Sequence, residues 1–217
     1  MTKLLDTRSE RDNDAASRAM TLPESRDDLF AFASATVAAY HAAVMAGDET
    51  GAIEQSRQYS AVVWKLNGGT FFACLDGPSA AGSLIETHCA ALPGTVPLWG
   101  QAGEFTIEVD GIRALVAFSR GMIAWSFHFE YQAIDLELPF ISETGYRSDY
   151  FAVTYGLSVD EVARRRFASI LKEHGRRMIE VRSRDFCKQR IESREWIAAK
   201  AAATTYADEK GQLCFAL

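Results

Sequence analysis

The stretch Glu104-Phe105-Thr106-Ile107-Glu108-Val109-Asp110-Gly111-Ile112-Arg113-Ala114-Leu115-Val116-Ala117-Phe118 decides the fold. Polar and apolar residues alternate from Glu104 to Val109, the period of a strand with one wet face. Asp110-Gly111 is the favoured two-residue hairpin turn, and Ile112 to Phe118 runs back. A two-residue turn fixes the register, setting Val109 opposite Ile112, Ile107 opposite Ala114 and Phe105 opposite Val116. Arg120-Gly121 reads as a second such turn, with Ile123 to Tyr131 as the third strand. That turn sets Phe118 opposite Ile123, Val116 opposite Trp125, Ala114 opposite Phe127 and Ile112 opposite Phe129. All of these fall on one apolar face, which only helices can cover. Asp135 to Leu138 alternates again as a candidate fourth strand, ended by Pro139.

Upstream, Thr21 to Glu24 and Ser25 to Asp28 each place a hydroxyl three residues before a carboxylate, the signature of a helix start. Leu29, Phe30, Ala33, Val37, Tyr40, Val44 and Met45 then recur at helical spacing. Gly47 to Gly51 breaks the helix, and Ile53, Tyr59, Val63 and Trp64 mark a second one, so the pair predicts an antiparallel hairpin. Asn67-Gly68-Gly69 ends it. Thr70 to Cys74 reads as a short strand and Ser83 to Glu86 as the cap of a short helix reaching about Ala91. Downstream, Ile141 to Gly156 reads as an ordered loop. Ser158-Val159-Asp160-Glu161 caps a helix carrying Val162, Phe167, Leu171, His174 and Met178. Further helix runs through Phe186, Ile191 and Trp196.

The expected fold class is α+β: an antiparallel β-meander covered on one face by an N-terminal helical hairpin and a C-terminal helix. Residues 1–20 read as a solvated mobile arm, 21–200 as a single domain, and 201–217 as a tail apolar enough to dock. A length of 217 residues, 48% apolar and 24% charged, supports a real core. No apolar run reaches the ~18 residues of a membrane span, and no apolar segment resembles a secretory signal. Cys74, Cys89, Cys187 and Cys214 form no CxxC pair, so they are expected as thiols in the cytoplasm.

The net charge of −6 argues against a generally basic nucleic-acid binder. It hides two opposed segments. Thr21 to Asp160 holds 6 basic and 17 acidic residues, a net of −11, whereas Glu161 to Lys200 holds 12 basic and 6 acidic, a net of +6. Three readings stay open. The basic segment packs beside the acidic body; or Arg164, Arg165, Arg166, Arg176, Arg177, Arg182 and Arg184 contact phosphates or an acidic partner; or the acidic body mimics nucleic acid for a basic partner.

Two constellations bear on chemistry. In the register above, Glu108, Arg113 and His128 form one cross-strand row on the meander's other face, with Glu130 beside them. Thr106, Leu115 and Ser126 form the next row. A carboxylate, a guanidinium and an imidazole in reach of one another suit proton transfer, although such pairs also occur on plain wet sheets. The loop Ser142 to Phe151 offers Glu143, Tyr146, Arg147 and Asp149 around Gly145, a mix common in ligand-binding loops. His88-Cys89 are adjacent on a helix and point about 100° apart, which disfavours a nucleophile–base pair. His41 and His174 fall on apolar stripes as core histidines. No motif implies a metal or a cofactor.

Three runs carry a resemblance: Trp64-Lys65-Leu66-Asn67-Gly68-Gly69-Thr70-Phe71-Phe72, Trp99-Gly100-Gln101-Ala102-Gly103-Glu104-Phe105, and Pro139-Phe140-Ile141-Ser142-Glu143-Thr144-Gly145-Tyr146-Arg147-Ser148. They resemble hypothetical proteins carried on proteobacterial plasmids and mobile elements, over residues 22 to 175. The resemblance implies an accessory role such as plasmid maintenance, transfer or evasion of host defence, with no activity to carry over. The leading expectation is a non-enzymatic interaction protein acting by surface charge on a protein or nucleic-acid partner, with no membrane, and with a homo-oligomer left open. The alternatives are an enzyme or small-ligand binder using the His128 face and the Ser142–Phe151 loop, and a nucleic-acid binder using the basic C-terminal helix.

Overall fold

A computed structural model describes residues 2–120, 126–198, 205–207 and 213–215. The fold is α+β. Four helices, α1 (Thr2–Ala19), α2 (Arg26–Ala46), α3 (Glu49–Leu66) and α4 (Ala81–Cys89), precede a four-stranded antiparallel sheet. Its strands β1 (Gly103–Val109), β2 (Ile112–Arg120), β3 (Ser126–Ala133) and β4 (Tyr146–Ala152) lie side by side in chain order. Helices α5 (Val159–His174) and α6 (Val181–Glu192) follow, and β5 (Thr205–Ala207) pairs with β6 (Leu213–Phe215).

The expected N-terminal arm is helix α1. Ala15 and Ala19 are buried against α3, Trp64 Nε1 donates to Asp12 at 3.2 Å, and Arg18 pairs with Glu54. Helix α2 starts where Ser25 Oγ accepts from Asp28 N–H, and it stops at Gly47, whose φ of +74° is the left-handed turn of a helix end. The earlier Thr21–Glu24 signal caps nothing; Thr21 Oγ1 donates to Arg18 O at 2.9 Å. Helix α4 starts at Ala81 with no side-chain cap, two residues before the expected capping box. Ser158 and Glu161 form a full capping box on α5, as expected.

The first hairpin holds the expected register, Val109↔Ile112 through Phe105↔Val116. The second does not. Phe118 pairs with Phe129, Val116 with Tyr131 and Ala114 with Ala133, six positions along from the expectation. Arg120 pairs with Phe127, and five residues, not two, connect β2 to β3. The expected partners Ile123 and Trp125 lie outside the described residues. A shift of six is even, so every side chain keeps its face and the apolar face survives.

Two further expectations fail nearby. Thr70–Cys74 and Asp135–Leu138 are turns, not strands, and the fourth strand is Tyr146–Ala152 inside the expected loop. Its Phe151 pairs with Phe127, and its Asp149 with Phe129.

Two apolar clusters form. One joins the inner sheet face to α5 through Phe105, Phe118, Phe127, Phe129, Tyr131, Phe140 and Phe167. Tyr131 Oη donates to Ala163 O at 3.1 Å, and burial pushes its hydroxyl well above the usual phenol range. The other holds α1–α4 together around Leu22, Leu29, Ala33, Val37, Ala61, Val62 and Ile85. The helical hairpin therefore covers only one end of the sheet, through Tyr40, Val44 and Ala52. Its main face belongs to the helical cluster.

Trp99, fully buried, links the parts. Its Nε1 donates to Leu157 O at 2.7 Å, its backbone N–H donates to His41 Nδ1 at 3.2 Å, and its ring packs edge-on against Phe127. An 18-residue window of helix α2 has a mean hydropathy of 1.6, and the helix is long and apolar enough by composition to cross a membrane, so length and hydropathy alone exclude nothing. One of its stripes, from Leu29 to Val44, is core; alanines supply much of the rest.

Candidate functional site

The outer sheet face carries His128, Glu130 and Gln132 on β3, opposite Tyr150, Ser148 and Tyr146 on β4. The corrected register dismantles the expected row there. Glu108 still faces Arg113, but His128 faces Ser119, six positions from the place opposite Arg113, or about 20 Å along the strand. Arg113 instead pairs with Asp135. The second expected row breaks in the same way, since Leu115 faces Gln132 rather than Ser126. His128 Nε2 lies 2.6 Å from Ser148 Oγ, and its ring stacks on Tyr150 at 4.1 Å. Glu130 approaches His128 Nδ1 at 3.9 Å and Arg190 at 3.3 Å.

The four expected loop residues diverge too. Glu143 pairs with Arg177 at 2.6 Å, Tyr146 lies under the Arg190 guanidinium at 5.5 Å, Arg147 is exposed, and Asp149 sits on the inner face against Arg166. His128 and Arg113 lie about 20 Å apart along the sheet, and the four loop residues take separate partners or none in common. A cavity of about 10 Å³, room for one water, lies elsewhere, among Thr36, Tyr40, Tyr59 and Gly100. His41 is a half-buried histidine that accepts the Trp99 N–H and whose burial lowers its pKa, whereas His174 is exposed beside Glu173. Cys89 is buried 3.8 Å from Ser34 Oγ, and burial raises its thiol pKa; His88 stacks on Phe30 at 4.8 Å. Among the described residues no three His, Cys, Asp or Glu side chains converge as a metal site would need.

The basic segment is largely paired within the chain. Arg164 pairs with Asp160, Arg177 with Glu143, Arg182 with Glu180 at 2.7 Å and Arg184 with Glu137 at 2.6 Å. Arg166 pairs with Asp149, and Arg176 donates to Asp110 O at 2.9 Å. Arg165 is exposed one turn from Glu161. Helix α6 crosses the outer sheet face, where Arg190 meets Glu130 and Arg194, just beyond it, meets Glu104 through two hydrogen bonds of 2.6 and 2.8 Å. The acidic body and the basic helices thus neutralise each other locally.

The cations of the helical part are few. Arg18 and Lys65 are held inside it, Lys65 by Ala19 O, Leu22 O and Glu24. Arg11, Arg26 and Arg57 are exposed. Arg11 lies over the Phe71 ring at 4.1 Å and Arg26 over Phe30 at 5.2 Å. Next to Phe71, Phe72 is 74% exposed. The sequence reading misses this group, because Thr70–Cys74 reads as a short strand and Arg11 as part of a mobile arm. Its available signal was the pair of phenylalanines directly after Asn67-Gly68-Gly69-Thr70.

Residues 14–88 match a family model described as the KlcB N-terminal DNA-binding domain, and residues 102–205 match one described as the KlcB third domain. The chain is 45% identical over 177 residues to a protein KlcB of Escherichia coli, covering 81% of this chain and 38% of that protein. A second protein KlcB of Escherichia coli is 46% identical over 173 residues, covering 79% of this chain and 43% of that protein. The chain spans about two fifths of the length of the curated relatives it matches. No solved structure matches it. The boundary between the two matched regions falls where α4 gives way to the sheet.

Proposed function

We propose, from the premise that the KlcB proteins are homologues of this chain, that it is a plasmid-borne accessory protein that contacts DNA in the cytoplasm through α1–α4. The observation that carries the reading is the match of residues 14–88 to a model described as a DNA-binding domain. Those residues coincide with a helical unit that has its own core. The C-terminal arginines, the expected site of phosphate contact, are mostly engaged with carboxylates of the same chain.

Residues 14–88 hold 4 basic and 9 acidic residues, a net of −5. DNA affinity that came mainly from counterion release would need many phosphate contacts. With Arg11, Arg26 and Arg57 as the exposed arginines among its described side chains, the unit makes few, so its binding rests on local contacts and depends weakly on salt. Hydrogen exchange of the full chain with and without DNA tests the reading. Protection confined to residues 10–89 supports it, and protection confined to 161–198 contradicts it.

The same charge favours a second reading, a basic protein partner held by the acidic helical unit. Binding to a polycationic peptide but to no DNA would select it.

A further inference from the structure

The connection between α3 and α4 is braced at several points. Asn67 Nδ2 donates to Thr70 O at 2.8 Å and to Phe72 O at 3.0 Å, and Phe72 N–H donates to Thr70 Oγ1 at 3.0 Å. Gly82 N–H donates to Cys74 O at 2.8 Å, and a Cβ on Gly82 would stand 2.7 Å from that same oxygen. Ala73 holds a φ of +53°, a left-handed conformation that alanine rarely adopts. Phe71 packs on the helical core and takes the Arg11 guanidinium on its face. Phe72, at 74% exposure, is held out to solvent by this frame. A large apolar ring on a slack loop folds back onto the surface; here the braces keep it outward.

We propose that Phe72 is a stacking contact for an unpaired DNA base, with Arg11 beside it for the adjoining phosphate. The inference deepens the DNA reading and rests on it. A phenyl ring offers a face and no hydrogen-bonding edge, so it accepts any base and prefers one free of its own stack. Arg11, exposed and already aligned over the ring of the preceding residue Phe71, supplies positive charge close to the start of this loop. A matched duplex hides its base faces, so single-stranded DNA is the preferred form.

The test measures fluorescence anisotropy of a labelled 20-nucleotide single strand and of its matched duplex with the full chain. Wild type is compared with F72A, F72W and R11A, each checked by thermal melting. The expected result is tighter binding of the single strand and a loss of about tenfold to a hundredfold for F72A. F72A should melt as wild type does, since its ring is exposed, and F72W should keep the affinity and show added tryptophan quenching on binding. R11A should weaken binding and flatten its salt dependence. Wild-type and F72A affinities that are equal for the single strand overturn the inference and leave the DNA reading standing. Wild type that binds neither probe overturns both.

Discussion

Asp149 on β4 and Arg166 on α5 are joined by two hydrogen bonds, of 2.5 and 2.7 Å, and the same guanidinium lies over the Phe151 ring at 4.9 Å. An arginine that reads in the sequence as a phosphate contact is thus a clamp between the sheet and the helix that covers it. Asp149 is mostly buried, so removing its partner leaves a carboxylate poorly compensated. R166A and D149N should each destabilise the fold by about 1–3 kcal/mol, seen as a lower melting temperature. R166K should not recover wild-type stability, because an ammonium cannot make the forked contact. Unchanged melting of all three variants would show that the clamp contributes nothing.

His41 makes stability depend on pH. Its Nδ1 accepts the Trp99 backbone N–H, so the folded state holds a neutral ring, and burial lowers its pKa below 6.5. In the unfolded chain the ring takes up a proton more readily. The contribution is therefore complete above pH 6.5 and is lost as pH falls through the folded-state value. Denaturant titrations should show wild type losing stability relative to H41N, whose amide oxygen replaces the acceptor without titrating, as pH drops from 7 to 5. Parallel curves for the two proteins would exclude this role.

Helix α6 is held mainly by charge. Of its side chains only Cys187 is buried, while Val181 and Phe186 are exposed. The ion pairs of Arg184, Arg190 and Arg194 hold this segment over the sheet, and salt weakens such pairs. Alkylation of Cys187, in a C74S/C89S/C214S background, should be slow at low salt and several-fold faster at 1 M NaCl. A rate independent of salt would mean that α6 is held by packing instead.

Two contacts beneath α6 can be probed separately. Gly145 has a φ of +69°, and a Cβ there would stand 2.7 Å from Cys187 Sγ. G145A should destabilise by more than about 1 kcal/mol, combining backbone strain with the clash. Gln132 is buried with no oxygen or nitrogen partner for its amide, only the Cys187 thiol beside it. Q132M should be neutral or stabilising by about 1 kcal/mol, because it removes an unsatisfied polar group. A large loss of stability in Q132M would reveal that the amide is needed.

The β1–β2 hairpin was legible because Asp110-Gly111 fixes both turn and register. The β2–β3 register was not, because an apolar alternation is unchanged by any even shift, and the position of His128 depended on that shift. Strand β4 was hidden because its inward positions include Arg147 and Asp149, and Asp149 is satisfied by an arginine from another helix. Helix α1 was hidden for a similar reason: it is charged on most sides, and its described contacts include only two buried alanines beside ion pairs, the Asp12–Trp64 hydrogen bond and the Arg11–Phe71 ring contact. Apart from the local pairs Arg164–Asp160 and Arg182–Glu180, the carboxylate partners of the basic segment's arginines lie 17 to 90 residues away, a distance that sequence spacing does not encode. The DNA reading itself came from likeness, since an acidic helical unit carries none of the usual charge signature.

The central claim is that DNA meets α1–α4 through few cations while the C-terminal arginines stay paired. The salt dependence of the dissociation constant for a 20-nucleotide single strand tests it most directly, since each phosphate contact adds about 0.7 to the log–log slope. Arg11, Arg26 and Arg57, the exposed cations among the described side chains of α1–α4, set a slope of about −2. A slope steeper than about −5, which would require the arginines of the basic segment to leave their carboxylates for phosphates, contradicts the account.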